Sequence, residues 1–113
     1  MSTITTHVLD VSIGRPAANV PVLLEVQSAN GVWSEAGRGA TCSDGRLKDL
    51  AAGKTLSTGI YRLTFDIRSY FVGRNIAGLY PQVMIVFEVK DSQEHYHLPL
   101  LLSPFGYSTY RGS

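Results

Sequence analysis

Apolar and polar positions alternate with a period of two through most of the chain, and that period predicts strands. Ile4 to Ser12 sets Val8 and Asp10 on one face against His7, Leu9 and Val11 on the other. Val20 to Val26 is rich in β-forming residues, and Asn30-Gly31, a strong hairpin signal, joins it to Val32-Trp33 as an antiparallel pair. Ser43-Asp44-Gly45 is a second turn, followed at once by Arg46. Leu47 and Leu50 then fasten a short segment to the core ahead of Ala51-Ala52-Gly53. From Thr58 to Ile67 one face is uniformly apolar (Tyr61, Leu63, Phe65, Ile67), which describes a half-buried strand, and Gln82 to Lys90 is the most apolar strand pattern of all. A single helix is predicted over Arg68 to Arg74, about two turns long, with Asp66 as its N-terminal cap. His95 to Leu102, a Ser103-Pro104-Phe105-Gly106 turn and a short strand through Tyr110 complete the series. About seven or eight short strands and one short helix predict an all-β fold, an antiparallel β-sandwich forming a single domain over residues 1–113.

The strand from His95 alters this picture. Tyr96, Leu98, Leu100 and Leu102 make an ordinary core face, but the opposite face carries His95 and His97 followed by Pro99 and Leu101. Histidines padded with apolar residues suit a half-dry cleft or a subunit contact better than a solvent face. Pro99 has no N–H, so its strand is expected at a sheet edge, or with that ladder position unpaired. A hairpin with the following strand would let the His-bearing face coincide with a Tyr-bearing one. Tyr110-Arg111-Gly112-Ser113 are residue types that bind and orient substrates, and they are expected to be part of a site.

Composition narrows the partners. The chain of 113 residues is 44% hydrophobic and 17% charged, with a formal net charge of +1 and no basic block, which argues against disorder, nucleic acid and anionic membrane. No charged n-region or apolar h-region follows Met1, and no apolar run approaches the ~20 residues of a membrane span. The single Cys42 makes neither an intramolecular disulfide nor a zinc cluster. Together these predict a cytoplasmic location. His7, His95 and His97 raise a metal site as a possibility, since catalytic zinc can use three histidines. No carboxylate or cysteine ligand adjoins them, so no metal and no cofactor are expected.

Several stretches, taken in order, resemble the transthyretin family: Thr6 to Asp10 (THVLD), Gly14-Arg15-Pro16-Ala17, Ser43-Asp44-Gly45-Arg46, Gly59-Ile60-Tyr61, Leu79-Tyr80-Pro81 and the closing HYHLPLLLSPFGYSTYRGS. The resemblance spans almost the whole chain. Tyr110 to Ser113, with His7, Arg46 and His97, is similar to the enzymes of that family, the 5-hydroxyisourate hydrolases, rather than its hormone carriers. Gln82 after Pro81 and Cys42-Ser43 before the Asp-Gly-Arg turn depart from the commoner pattern, outside the matched set. The resemblance implies a homotetramer, a dimer of dimers with sheets meeting around a channel. It implies hydrolysis of a ring amide of 5-hydroxyisourate in urate breakdown, with catalytic His7, Arg46, His97 and Ser113, and with substrate contacts from His7, Arg46, Tyr110, Arg111 and Gly112.

That chemistry needs a base of near-neutral pKa, an oxyanion stabiliser and planar donors. Histidine supplies the first at physiological pH, and the implied roles of His7 and His97 are water activation and proton transfer. Arg46 offers a planar cationic fork for the substrate edge and the oxyanion, Tyr110 a ring and hydroxyl, and Ser113 a hydroxyl and a carboxylate that would orient a histidine. His95 lies outside the matched set and is read as structural. Against these stand ordinary readings: a hydrogen-bonded core histidine, a solvated arginine after a turn, an edge tyrosine. Two rival functions are a channel that carries an apolar ligand and an immunoglobulin-like interaction module.

Overall fold

The structure, a computed structural model, describes residues 3–51 and 56–113. Its elements in chain order are β1 (Thr3–Asp10), β2 (Arg15–Pro16), β3 (Pro21–Gln27), β4 (Trp33–Ala40), β5 (Arg46–Leu47), β6 (Gly59–Phe65), α1 (Ile67–Gly73), β7 (Val83–Val89), β8 (His95–Ser103) and β9 (Gly106–Thr109). They form two sheets. One runs β2-β1-β8-β9 with β5 also paired to β1, and the other runs β4-β3-β6-β7. Of the expected Leu47-to-Gly53 segment, Ala52 and Gly53 lie outside the described residues.

The period-two pattern is what closes the sandwich. Ile4 and Val8 of β1 and Leu98, Leu100 and Leu102 of β8 face Val22 and Leu24 of β3, Leu63 and Phe65 of β6 and Val83 of β7, all buried. Each such side chain removed from water contributes roughly 1.5–3 kcal/mol. The helix closes one end with buried Ile67, Tyr70 and Phe71, and Asp66 caps it by accepting from the Ser69 N–H at 3.1 Å. Asp10, fully buried, accepts from Tyr70 Oη at 2.8 Å and from the Ser12 N–H at 3.0 Å, so the helix is tied to β1 through a satisfied carboxylate. Burial, and then the hydrogen bond to Asp10, pushes the Tyr70 phenol up to about 12.

The expectation of an antiparallel sandwich holds for every described pairing but one. β1 and β8 run parallel, from Thr3 beside His95 to Asp10 beside Leu102. Alternation along a half-buried strand is the same whichever way its neighbour runs, and the whole β3-to-β7 sheet serves as the crossover that a parallel pair requires. The same pairing makes β8 an interior strand rather than an edge. Pro99 is accommodated by the other alternative: its position falls in the gap between the Leu100–Thr109 pair and the isolated His97–Gly112 bridge, where the Thr109 hydroxyl donates to the Pro99 carbonyl at 2.7 Å.

Candidate active site

Three strand segments and the residues after β9 meet on the outward face of the first sheet. β1 is central to them, with Thr6 beside Leu47 and His7 beside Arg46 on its β5 side, and Thr5 beside His97 and His7 beside Pro99 on its β8 side. Continuing that register gives two rows across the sheet. One holds Lys48, Thr5, His97 and Gly112; the next holds Arg46, His7, Pro99 and Tyr110. Residues directly opposite in a sheet share a face, so both rows look outward together.

The Ser43-to-Gly45 turn delivers Arg46. Gly45 is buried with φ +79°, its carbonyl accepts from the Val8 N–H at 2.8 Å, and a Cβ there would lie 2.4 Å from the Val8 carbonyl oxygen and 3.3 Å from the His7 ring. Only glycine lets the turn lie this flat against β1. His7 Nε2–H donates to the Asp44 carbonyl at 2.9 Å, which leaves Nδ1 as its acceptor nitrogen. Arg46 remains exposed, with Asp44 3.7 Å from its Nε, a loose pair worth little in water.

His97 is the most constrained member. Its Nδ1 is hydrogen-bonded to Thr5 Oγ1 at 2.7 Å, and its carbonyl accepts from the Gly112 N–H at 2.7 Å. Gly112 lies against the ring, so closely that a Cβ there would come within 2.6 Å of His97 Cδ2. Burial lowers the His97 pKa below the ordinary 6.5, and charge–charge interaction with His95, His7 and Arg46 lowers it further. His97 is therefore neutral near pH 7.

A cleft of about 300 Å³ opens over these rows, lined by Thr5, Thr6, Arg46, Lys48, His95, His97 and Ser113. Of the residues expected from the sequence, it brings together Arg46, His97 and Ser113. His7 stands one row away, paired with Arg46. Gly112 acts from behind the His97 ring. Tyr110 is 56% exposed and outside the lining, and Arg111 turns elsewhere: its guanidinium stacks 4.5 Å from the Tyr96 ring and Nη2 donates to Glu94 at 3.3 Å.

Thr5, Thr6, Lys48 and His95 are lining residues that sequence reasoning did not select. Threonines are common β-formers, so their type alone set neither Thr5, on the His7 face, nor Thr6, on the buried face, apart. Among the described residues no group of three His, Cys, Asp or Glu side chains is placed to hold a metal ion. No described helix is long and apolar enough to cross a membrane.

Fold and cleft together define a transthyretin-like sandwich that carries a polar, cation-rich site on the outward face of one sheet. The chain belongs to the HIUase/Transthyretin family, whose family model matches residues 4–112. A 5-hydroxyisourate hydrolase of Salmonella dublin is 42% identical over 110 residues, covering 97% of this chain and 80% of that relative. The structure of Klebsiella pneumoniae 5-hydroxyisourate hydrolase matches with a TM-score of 0.88 at 34% identity, over 100% of both chains. Sea bream transthyretin in complex with thyroxine matches with a TM-score of 0.91 at 29% identity, over 96% of this chain and 93% of that one.

Proposed function

We propose that the protein hydrolyses 5-hydroxyisourate to 2-oxo-4-hydroxy-4-carboxy-5-ureidoimidazoline, by attack of water on a ring amide carbonyl. The observation that carries this reading is a histidine kept neutral, His97, in the same cleft as two cations, Arg46 and Lys48. His97 Nε2, the ring nitrogen not engaged by Thr5, takes the proton of the attacking water. Arg46 and Lys48 stabilise the oxyanion as it forms and hold the planar substrate by its carbonyl edge. His7, whose Nδ1 has no hydrogen-bond partner among the described residues, assists in the next row. Ser113 contributes a hydroxyl at the rim, and Gly112 holds the His97 ring in place.

A homotetramer, a dimer of dimers, completes this reading. The outward face continues past the histidines as Pro99 and Leu101, and β7 and β9 are strands at the ends of their sheets whose outer ladders have no partner among the described residues. A second copy laid over this face would close the open side of the cleft, where Tyr110 stands exposed. The proposed setting is the cytoplasm.

The test follows the ultraviolet absorbance of freshly generated 5-hydroxyisourate. Wild type should accelerate its decay, and His97→Ala or His7→Ala should lose roughly 10²–10⁴ of that acceleration, the usual contribution of a positioned acid or base. Decay at the spontaneous rate with wild type would overturn the hydrolase reading and leave the face as a carrier surface.

A further inference from the structure

Beyond His97 the polar contacts continue. The parallel register sets Thr3 beside His95 and Thr5 beside His97 on one face. Thr3 Oγ1 is hydrogen-bonded to His95 Nδ1, His95 Nε2 to Thr5 Oγ1 at 3.1 Å, and Thr5 Oγ1 to His97 Nδ1 at 2.7 Å. The two imidazoles lie nearly parallel, 12° apart in plane, with centroids separated by 6.2 Å. His97 Nε2 has no hydrogen-bond partner among the described residues and belongs to a side chain lining the cleft. The result is an unbroken chain of exchangeable protons along the cleft wall, from the half-buried His97 to the exposed His95.

We propose that this chain is a proton relay: Thr5 positions His97 and passes its Nδ1 proton to His95, which holds the charge at the solvent-exposed wall of the cleft. The inference rests on the hydrolase reading for its place in turnover. A threonine hydroxyl has one hydrogen, so the chain exists in two polarities. In the first, His97 Nδ1–H donates to Thr5 Oγ1, the Thr5 hydroxyl donates to His95 Nε2, and His97 Nε2 presents a lone pair to the cleft. As water oxygen bonds to the ring carbonyl carbon, Nε2 takes the water proton, Nδ1–H moves to Thr5 Oγ1, and the Thr5 proton moves to His95 Nε2. One proton has entered and one has reached His95, while His97 stays neutral throughout.

The second polarity is then in place. His97 Nε2–H faces the cleft, ready to protonate the ring nitrogen as the carbon–nitrogen bond breaks. That transfer returns the chain to its first state, with His95 giving its proton back through Thr5. The surroundings favour this over a charged His97. The titratable and charged groups facing it are His7 from β1, Arg46 and Lys48 from β5 and the residue after it, and His95 from its own strand. His95, His7 and Arg46, which hold its pKa down, each carry or can take up positive charge, and of the two imidazoles His95 is the exposed one, whose charge water screens.

Wild type, Thr5→Val, Thr5→Ser and His95→Asn decide the matter. Valine keeps the β-branched shape of threonine without the hydroxyl, so the strand is retained. Imidazole ¹⁵N NMR against pH, without substrate, should find wild-type His97 in the Nδ1–H form and its nitrogens shifting as His95 titrates. Thr5→Val should abolish that cross-dependence, lower kcat by roughly 10–100-fold and leave KM within about threefold, as loss of proton-transfer assistance does. His95→Asn should lower kcat similarly, and Thr5→Ser should restore both readouts. Wild-type kcat and an unchanged His97 titration in Thr5→Val would overturn the relay, and so would a Thr5→Ser variant that behaves like Thr5→Val. If wild type does not hydrolyse 5-hydroxyisourate, the hydrolase reading fails by itself; the NMR coupling still decides whether the hydrogen-bonded chain transmits protons.

Discussion

At the scale of single residues, His97 is shaped from two sides. Thr5 fixes one ring nitrogen and Gly112 leaves room for the ring itself. Gly112→Ala places a Cβ 2.6 Å from His97 Cδ2, inside any real contact, so the imidazole must move. A displacement of about an ångström at a catalytic group costs on the order of 10² in rate; steady-state kinetics should record a kcat loss of that order, with the melting temperature little changed because Gly112 lies beyond β9, outside the buried core. Retention of full activity would mean that the ring position is not critical. The lowered His97 pKa also has a signed consequence. As pH falls below the ordinary 6.5 the unfolded chain binds a proton that the folded one resists, so stability declines from there through the depressed folded value and is fully present above 6.5. If His97 is the base, as proposed, its lowered pKa puts the acid limb of kcat/KM below pH 6.5. What the sequence revealed at this scale was side-chain chemistry: His7, Arg46 and His97 stood out because their types suit hydrolysis and because matched motifs carry them. Thr5 did not, because its partner lies 92 residues away.

At the scale of elements, turns rather than strands place the chemistry. Gly45→Ala forces a Cβ to within 2.4 Å of the Val8 carbonyl at φ +79°. Left-handed strain of this kind costs about 1–3 kcal/mol; urea denaturation should register it, and Arg46 should lose its register with His7, lowering activity as well. Asp66→Ala removes the cap hydrogen bond to Ser69 and should cost about 1 kcal/mol by the same measurement, without touching the rate. The long strands β1, β3, β6, β7 and β8, the Asn30-Gly31 hairpin, the helix and its cap were legible because each follows from local periodicity or turn chemistry, whereas β2 and the length of β4 to Ala40, a run rich in Gly and Ala with little alternation, were not. The parallel β1–β8 pairing was not, since alternation says which face is buried and nothing about direction. For the same reason Pro99 was legible only as an unpaired ladder position or an edge, and the interior strand chose between them.

At the scale of the whole molecule, the open side of the cleft sets the expectation. Sedimentation velocity should find a species of four times the 12.3 kDa chain mass, and a stable monomer would remove the second copy from the site. Membership of the family was legible from motifs strung along the chain, whereas the assembly of the cleft depends on the sheet order. Beneath this lies the parallel pairing of β1 with β8. Because these strands are joined only through everything between them, the proposed catalytic face has a history as well as a geometry. During synthesis β1 emerges with Ile4 and Val8 uncovered and waits for β8, which follows after most of the chain. Contacts so distant in sequence reward the chain only after its loop-closure entropy has been spent, which places refolding in the slow, millisecond-to-second range of all-β domains. Activity should therefore be among the last properties to return after denaturant is removed, later than the hairpins of the other sheet.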